Sequence, residues 1–271
     1  MFDVMNQAKN AIEAYNAALK ASSANIANMN VPGYKKLNVT FQSVFERVLS
    51  QGSAAAAGSG GTNPRQFGSG VAIASTNLDF SSGEATTGSP LDLAISGSGM
   101  FVLSADGGNS YLYSRAGNFQ INSSGNLTSN GLQVYGLDSS GNQTAITGLP
   151  SGNKANYQWQ TDGTLQYSAD NGTTYTGTGY RIALTYFANP SGLKQAQGSA
   201  FAETLASGSP AAAQAPGGAV GSLKTGQIEQ SNVFYLTESI NSLELQRAMS
   251  SNLSMLRIAS DLISSFIQKL G

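Results

Sequence analysis

Ser23-Ala24-Asn25-Ile26-Ala27-Asn28-Met29-Asn30-Val31-Pro32-Gly33-Tyr34 is the stretch where one long pattern stops and a turn begins. Upstream of it, Phe2, Met5, Ala8, Ile12, Tyr15, Leu19, Ser22 and Ile26 recur at steps of three and four. That is the α-helical period, narrowed to a coiled-coil seam. The seam is thin and several of its residues are small, so the helix needs a partner helix to bury it. Asn28, Asn30, Pro32 and Gly33 stop the helix. Val31-Pro32-Gly33-Tyr34 has the chemistry of a type II turn, with proline fixing φ at the second position and glycine accepting positive φ at the third. Period and turn alone are equally compatible with the first helix of an ordinary domain.

The helical period returns at Asn232. Leu236, Ile240, Leu243, then Met249, Leu253, Leu256, Ala259, Ile263, Phe266 and Leu270 form a stripe that breaks at Arg247, with Leu245, Ile258, Leu262 and Ile267 lying off it. A helix of roughly 35–40 residues at about 1.5 Å each is more than about 50 Å long. The β segment between the two helices is too small to cover it, so self-association is the expected way to bury the stripe.

Between the helices the period changes. Phe41, Val44, Phe45, Val48 and Leu49 have helical spacing, weakened by their β-branched neighbours, and predict a short helix or a compact irregular segment. Ser50 to Gly61 is almost wholly Ala, Gly and Ser, the composition of a linker. From Phe67 apolar runs of period two alternate with turn signals, beginning with Gly70–Thr76 and reaching their strongest strand at Tyr180–Phe187. Ala206 to Ser222 is a second small-residue stretch. The expected fold is mainly β with long terminal α-helices. The helices pair as a coiled coil and an antiparallel β domain lies between them. Residues 1–29 with 232–271 form the terminal helical domain, 30–66 with 206–231 the connecting arms, and 67–205 the β domain.

Composition excludes several chemistries. The chain has 271 residues, a formal net charge of −1 and only 11% charged residues, so there is no basic excess for nucleic acid or anionic lipid. It has no cysteine and no histidine, which removes thiol catalysis, disulfides, His- or Cys-ligated metals and a Ser-His-Asp triad. No catalytic residue, metal or cofactor is expected. Met1–Gln7 lacks a basic, then apolar, leader, so no cleaved Sec signal is expected. No run of about 18 apolar residues occurs, so no direct membrane insertion is expected either. Paired carboxylates could serve a glycosidase. Most of Asp79, Asp92, Asp106, Asp162 and Asp170 sit beside Gly or Asn, where aspartate is an ordinary turn residue. Gly97-Ser98-Gly99 is followed by a strand, not the helix that a phosphate loop requires. A secreted or phage-tail-like fibre, closing as a trimer or hexamer, is a rival of another class.

Four blocks carry a resemblance. Asn25-Ile26-Ala27-Asn28 followed by Pro32-Gly33-Tyr34-Lys35 resembles the N-terminal signature of the bacterial flagellar rod and hook protein family. Phe80-Ser81-Ser82-Gly83, Ser89–Phe101 and Tyr113-Ser114-Arg115-Ala116-Gly117-Asn118-Phe119 are similar to its central block. Phe187–Leu193 resembles the strand closing its middle domain, and Gly226–Val233 with Gln246-Arg247-Ala248 its C-terminal signature. Met100 stands where a second aromatic is common, and Met249-Ser250-Ser251 where the family often has a bulkier residue. The resemblance implies a structural subunit that stacks helically into a flagellar tube, in contact with itself and other axial proteins. It also implies delivery by the flagellum's own type III export apparatus. The placement of the Ser50–Arg65 arm and the short middle domain favour the distal rod of the basal body, while Gly61–Gln66 is also similar to arms of short hook proteins. The residues expected at assembly interfaces are Phe2, Met5, Ile12, Tyr15, Leu19, Asn25, Ile26, Asn28, Pro32, Gly33 and Tyr34. On the second helix they are Leu236, Ile240, Leu243, Leu253, Leu256, Ile263 and Phe266.

Overall fold

The computed structural model describes residues 2–50, 54, 60–63, 65–150, 153–170 and 172–270, excluding the side chains of residues 2, 45–50, 65–67, 69 and 270. Most of the Ser50–Gly61 linker and the side chain of Phe2 therefore lie outside the described residues. The chain forms two compact units. One contains residues 1–26, 37–77 and 235–271, and the other residues 27–36 and 78–234.

The first unit holds helices α1 (Phe2–Ala27) and α2 (Tyr235–Leu270) and a two-stranded sheet of β1 (Leu37–Ser50) and β2 (Arg65–Leu78). The expectation of a short helix or a compact irregular segment over 38–49 is corrected, since that segment is strand. Val39, Thr40 and Val44 lose χ1 freedom in a helix and fit a pleated surface better. The strand expected at Gly70–Thr76 exists, but it pairs with β1 in the helical unit and not with the β domain. The ribbon is tied to α1: Gln7 Nε2 donates to the Gly68 carbonyl at 2.7 Å, and Tyr15 packs edge-on against Phe41 at 5.7 Å. A two-stranded ribbon is marginal alone, so these helix contacts are what hold it.

The second unit contains β3 (Ala85–Thr87), β4 (Leu93–Ser96), β5 (Met100–Ser104), β6 (Leu112–Ser114), β7 (Gln120–Ile121), β8 (Leu127–Ser129), β9 (Leu132–Leu137) and β10 (Gln143–Ala145). These are followed by β11 (Tyr157–Trp159), β12 (Thr164–Tyr167), β13 (Thr176–Ile182), β14 (Leu184–Thr185), β15 (Lys194–Gln195), β16 (Ala200–Ala202), β17 (Ser222–Thr225) and β18 (Gln227–Glu229). One sheet runs β11-β12-β13-β9-β5-β6-β16-β15, with β8 and β10 on β9, β7 on β8 and β14 on β5. Two short ribbons, β17-β4 and β18-β3, bring the outgoing chain back beside the start of the unit. All the registers described in this unit are antiparallel, as expected. The core gathers Leu91, Leu93, Phe101, Phe119, Ile146 and Trp159. Phe101 and Phe119 meet edge-on at 5.1 Å, and the Trp159 indole donates to the Leu91 carbonyl at 2.7 Å.

Residues 206–222 are not a free arm. Ala211 N donates to the Tyr186 carbonyl at 2.9 Å, Gln214 bridges Leu184, and Val220 is buried in the core. Small residues here permit close approach to the sheet; composition alone had read them as flexible.

Four aspartates hold their own turns. Asp106 accepts from the Ser110 hydroxyl at 2.5 Å and its N–H at 2.9 Å, and Asp138 accepts from Ser140 N and Asn142 N. Asp162 and Asp170 do the same with Thr164 and Thr174. The Ser110 hydroxyl pulls Asp106 down to about 2, while the Asn142 amide pulls down Asp138, the Thr164 amide Asp162, and the Ser168 hydroxyl Asp170. The folded values lie below the ordinary 3.8, so the stabilisation is present above 3.8 and is lost as pH falls beneath it. The melting temperature of this unit is therefore expected to hold down to about pH 5 and to fall steadily below it. Asp170→Asn is expected to flatten part of that slope; an unchanged acid profile in this variant would remove Asp170 from the account.

Candidate functional site

In the helical unit, the face that α1 turns inward is built of alanine. Ala8, Ala11, Ala14, Ala18 and Ala21 are buried together with Ser22 and Asn25. The expected seam is thus displaced round the helix. Met5, Ile12, Tyr15, Leu19 and Ile26 flank the buried face and are half-buried; among the described side chains of that stripe, Ala8 and Ser22 are fully inside. Period reading followed the large residues, whereas the close contact selects small ones. Ser22 Oγ lies 2.9 Å from Ser242 Oγ and donates to Glu238 Oε2 at 2.8 Å.

Asn25 links this helix contact to the ribbon. Its Nδ2 donates to the Leu37 carbonyl at 3.0 Å, and its Oδ1 accepts from Leu37 N at 2.9 Å. The side-chain amide thus pairs with both backbone groups of one residue, as a neighbouring strand would, at the point where β1 begins. Asn25→Leu leaves a buried donor and acceptor unpaired and is expected to cost roughly 1–3 kcal/mol. Faster amide exchange at Leu37 would report it, and native protection there in the variant would contradict the pairing role.

On α2 the stripe changes sides at its break. Leu245, Met249, Leu256 and Ile263 are half-buried and Ala259 is buried, whereas Leu236, Ile240, Leu243, Leu253 and Phe266 are exposed. From Leu243 to Met249 is six residues, a rotation of roughly 240°. The break at Arg247 therefore separates two faces. Leu256 and Ile263 contribute to the face within the chain; the other five expected interface residues of α2 face outward.

In the β unit, the quoted sequence blocks converge on one buried ion cluster. Val31-Pro32-Gly33-Tyr34 is the expected turn, closed by Tyr34 N donating to the Val31 carbonyl at 3.2 Å, with Gly33 at φ +67°. Asn28 begins it by accepting from Val31 N through its carbonyl. Tyr34 is buried, Pro32 half-buried, and Gly33 N donates to the Glu229 carbonyl at 2.8 Å. The turn delivers Lys35 to the interior. Its Nζ donates to Glu229 Oε1 at 2.6 Å and to the Ser81 carbonyl at 2.7 Å. Gly83 N donates to the same carboxylate oxygen at 3.0 Å. Arg115 Nη1 reaches Glu229 Oε2 at 3.3 Å and the Ile95 carbonyl, and its Nη2 donates to the Gly97 carbonyl at 2.6 Å. Lys35, Glu229 and Arg115 side chains are at most 5% exposed. Burial pulls both cations below their ordinary values, against the attraction of Glu229. Nearby, Asn232 accepts from Lys36 N at 2.8 Å and donates to the Asp79 carbonyl at 2.8 Å.

Sequence reading singled out Pro32, Gly33 and Tyr34 as assembly-interface residues and did not single out Lys35, Arg115, Glu229 and Asn232. One signal was available for Arg115, which stands alone in a long uncharged segment. No periodicity, however, pairs residues 194 apart. The cluster is a structural clamp joining the incoming chain to the outgoing chain. The aspartates weighed for catalysis serve turns or backbone contacts instead; Asp92 accepts from Ser89 N at 2.6 Å.

Comparison with known proteins fits this arrangement. The flagellar hook protein FlgE/F/G D1 domain matches residues 94–185, and the flagella basal body rod protein family matches residues 5–35. The flagellar basal-body rod protein FlgG of Bacillus subtilis is 33% identical over 246 residues, covering 90% of this chain and 89% of that protein. The chain belongs to the flagellar rod and hook protein family. The rod protein FlgG of Caulobacter vibrioides is 31% identical over 97% of this chain and 98% of its own length. The hook protein FlgE of Treponema pallidum is 35% identical, but over only 49% of this chain and 31% of that protein. Within the flagellar rod and hook family, then, the rod members align from end to end and the hook members align in part. This is a family of structural proteins of the flagellum.

Proposed function

We propose that this chain is a subunit of the distal rod of the flagellar basal body. Copies stack helically into a tube that transmits torque and lets export substrates pass, with the terminal helices pairing as a coiled coil in its inner layer. Its partners are further copies of itself, other axial proteins and the flagellar type III export apparatus, through which it leaves. The observation that carries this reading is the end-to-end similarity to rod proteins, against the partial match to hook proteins. The outward apolar residues of α2 support it as well, because assembly gives them a covering. A short hook protein is the second reading, favoured by the hook matches that span about half the chain. Electron microscopy of basal bodies from a strain lacking the gene separates them. Structures that stop within the rod are expected; a complete rod without a hook would assign the chain to the hook, and normal flagella would overturn both.

A further inference from the structure

We propose that the C-terminal end of α2 docks on the outward face of the N-terminal end of α2 in a second copy, head to tail. The proposal rests on the self-assembly reading above and names the contact that would carry it.

Asn25 meets Glu238, and Ser22 meets both Glu238 and Ser242, so α1 and α2 run antiparallel. At equal rise per residue, the start of α1 draws level with about residue 260 of α2. Beyond that point the inward face of α2 runs out of cover, and its exposure shows this. At steps of four along one face, Ala259 is 5% exposed, Ile263 is half-buried and Ile267 is 66% exposed. The seam that holds α1 thus continues past it as an open apolar surface.

The other end of α2 carries a second uncovered surface. Leu236, Ile240 and Leu243 are 70%, 48% and 52% exposed, while Glu238 between them turns inward to Ser22. The N-terminal patch spans about two helical turns, and the C-terminal one, Ile263 to Ile267, about one. Ile267 lies 31 residues after Leu236, which places it roughly 220° round the helix, nearly on the opposite side. Opposite faces at opposite ends are what a lengthwise shift requires: with helices running in the same direction, the tip of one copy reaches the head of the next. The two patches differ, so the contact is heterologous and does not close as a twofold dimer would. It propagates into an open helical assembly.

The absence of native cysteine gives a clean test. The full chain is made with Leu236→Cys and Ile267→Cys together, assembled, and oxidised. Within one straight helix the two positions are about 46 Å apart, whereas a disulfide needs Cα atoms within about 7 Å. Every bond formed between them must therefore join two copies. A ladder of covalent multimers is expected from the double variant and not from either single one. Tubes that give no ladder would overturn the head-to-tail contact and leave self-assembly standing. An unaltered chain that forms no tubes would overturn both. Ile267→Lys adds an independent reading. The site is exposed, so the circular dichroism of the subunit should not change, while the critical concentration for assembly should rise by at least about tenfold. Assembly at the unaltered concentration would count against the proposal.

Discussion

Glu229→Ala lowers the stability of the β unit by about 3–5 kcal/mol. The carboxylate is bonded to two buried cations: Lys35 at 2.6 Å on one oxygen and Arg115 at 3.3 Å on the other. Removing it takes the paired carboxylate from both charges, which keep hydrogen bonds to backbone carbonyls, and it removes the acceptor of Gly83 N. Glu229→Gln keeps the shape and an acceptor, so its loss should be smaller. The pH dependence identifies the cause. Burial already holds Lys35 below its ordinary 10.5, so the folded state releases that proton before the unfolded state does. Stability gained in this way rises with pH up to 10.5. Without Glu229 the ammonium is disfavoured further, so the variant gains more. The difference between variant and parent should therefore shrink as pH rises toward 10.5. The single tryptophan, Trp159, lies in the core of this unit, so denaturant unfolding followed by its emission measures the effect. A loss below about 1 kcal/mol would mean that the cluster contributes no more than a surface pair, and a loss independent of pH would place the cost outside Lys35.

The parts legible in the sequence were those that local chemistry decides. The Val31–Tyr34 turn follows from Pro32 and Gly33, and the two terminal helices follow from their period. The strands from Leu93 onward follow from alternation between glycine-rich turns. The rest was hidden for identifiable reasons. Leu37–Ser50 has helical spacing of apolar residues, yet it is strand because Asn25 and β2 offer its backbone a partner. The true seam of α1 is alanine, which hydrophobicity ranks below Ile12 and Leu19. The break at Arg247 was visible, but its meaning as a change of face needed the position of α1. The cluster around Glu229 lay within the family blocks, whose residues were quoted without the pairing that makes them a clamp. Such pairings join distant segments, and a linear pattern carries no record of them.

Gly33→Ala is expected to cost roughly 3–5 kcal/mol, far more than the residue's conformation alone explains. Its φ of +67° is the left-handed region, where an L side chain costs about 1–2 kcal/mol. The larger part comes from space. A Cβ at this position would stand 2.3 Å from Ala116 N and 2.6 Å from Arg115 C, both backbone atoms that cannot rotate away. Either the turn or the segment carrying Arg115 must move. Moving the turn strains the Gly33 N to Glu229 carbonyl bond and withdraws Lys35; moving the other segment withdraws Arg115. Both routes open the cluster, so the effect overlaps with that of Glu229→Ala. The double variant should therefore cost less than the sum of the two singles. Gly141→Ala is the control: its φ is +82°, and its added Cβ meets nothing within 4 Å. That variant should lose only the conformational cost, about 1–2 kcal/mol. Unfolding followed through Trp159 compares all of them on one scale. Equal losses at Gly33 and Gly141 would show that close packing of the turn against Arg115 and Ala116 adds nothing, and additive losses with Glu229→Ala would separate the turn from the clamp.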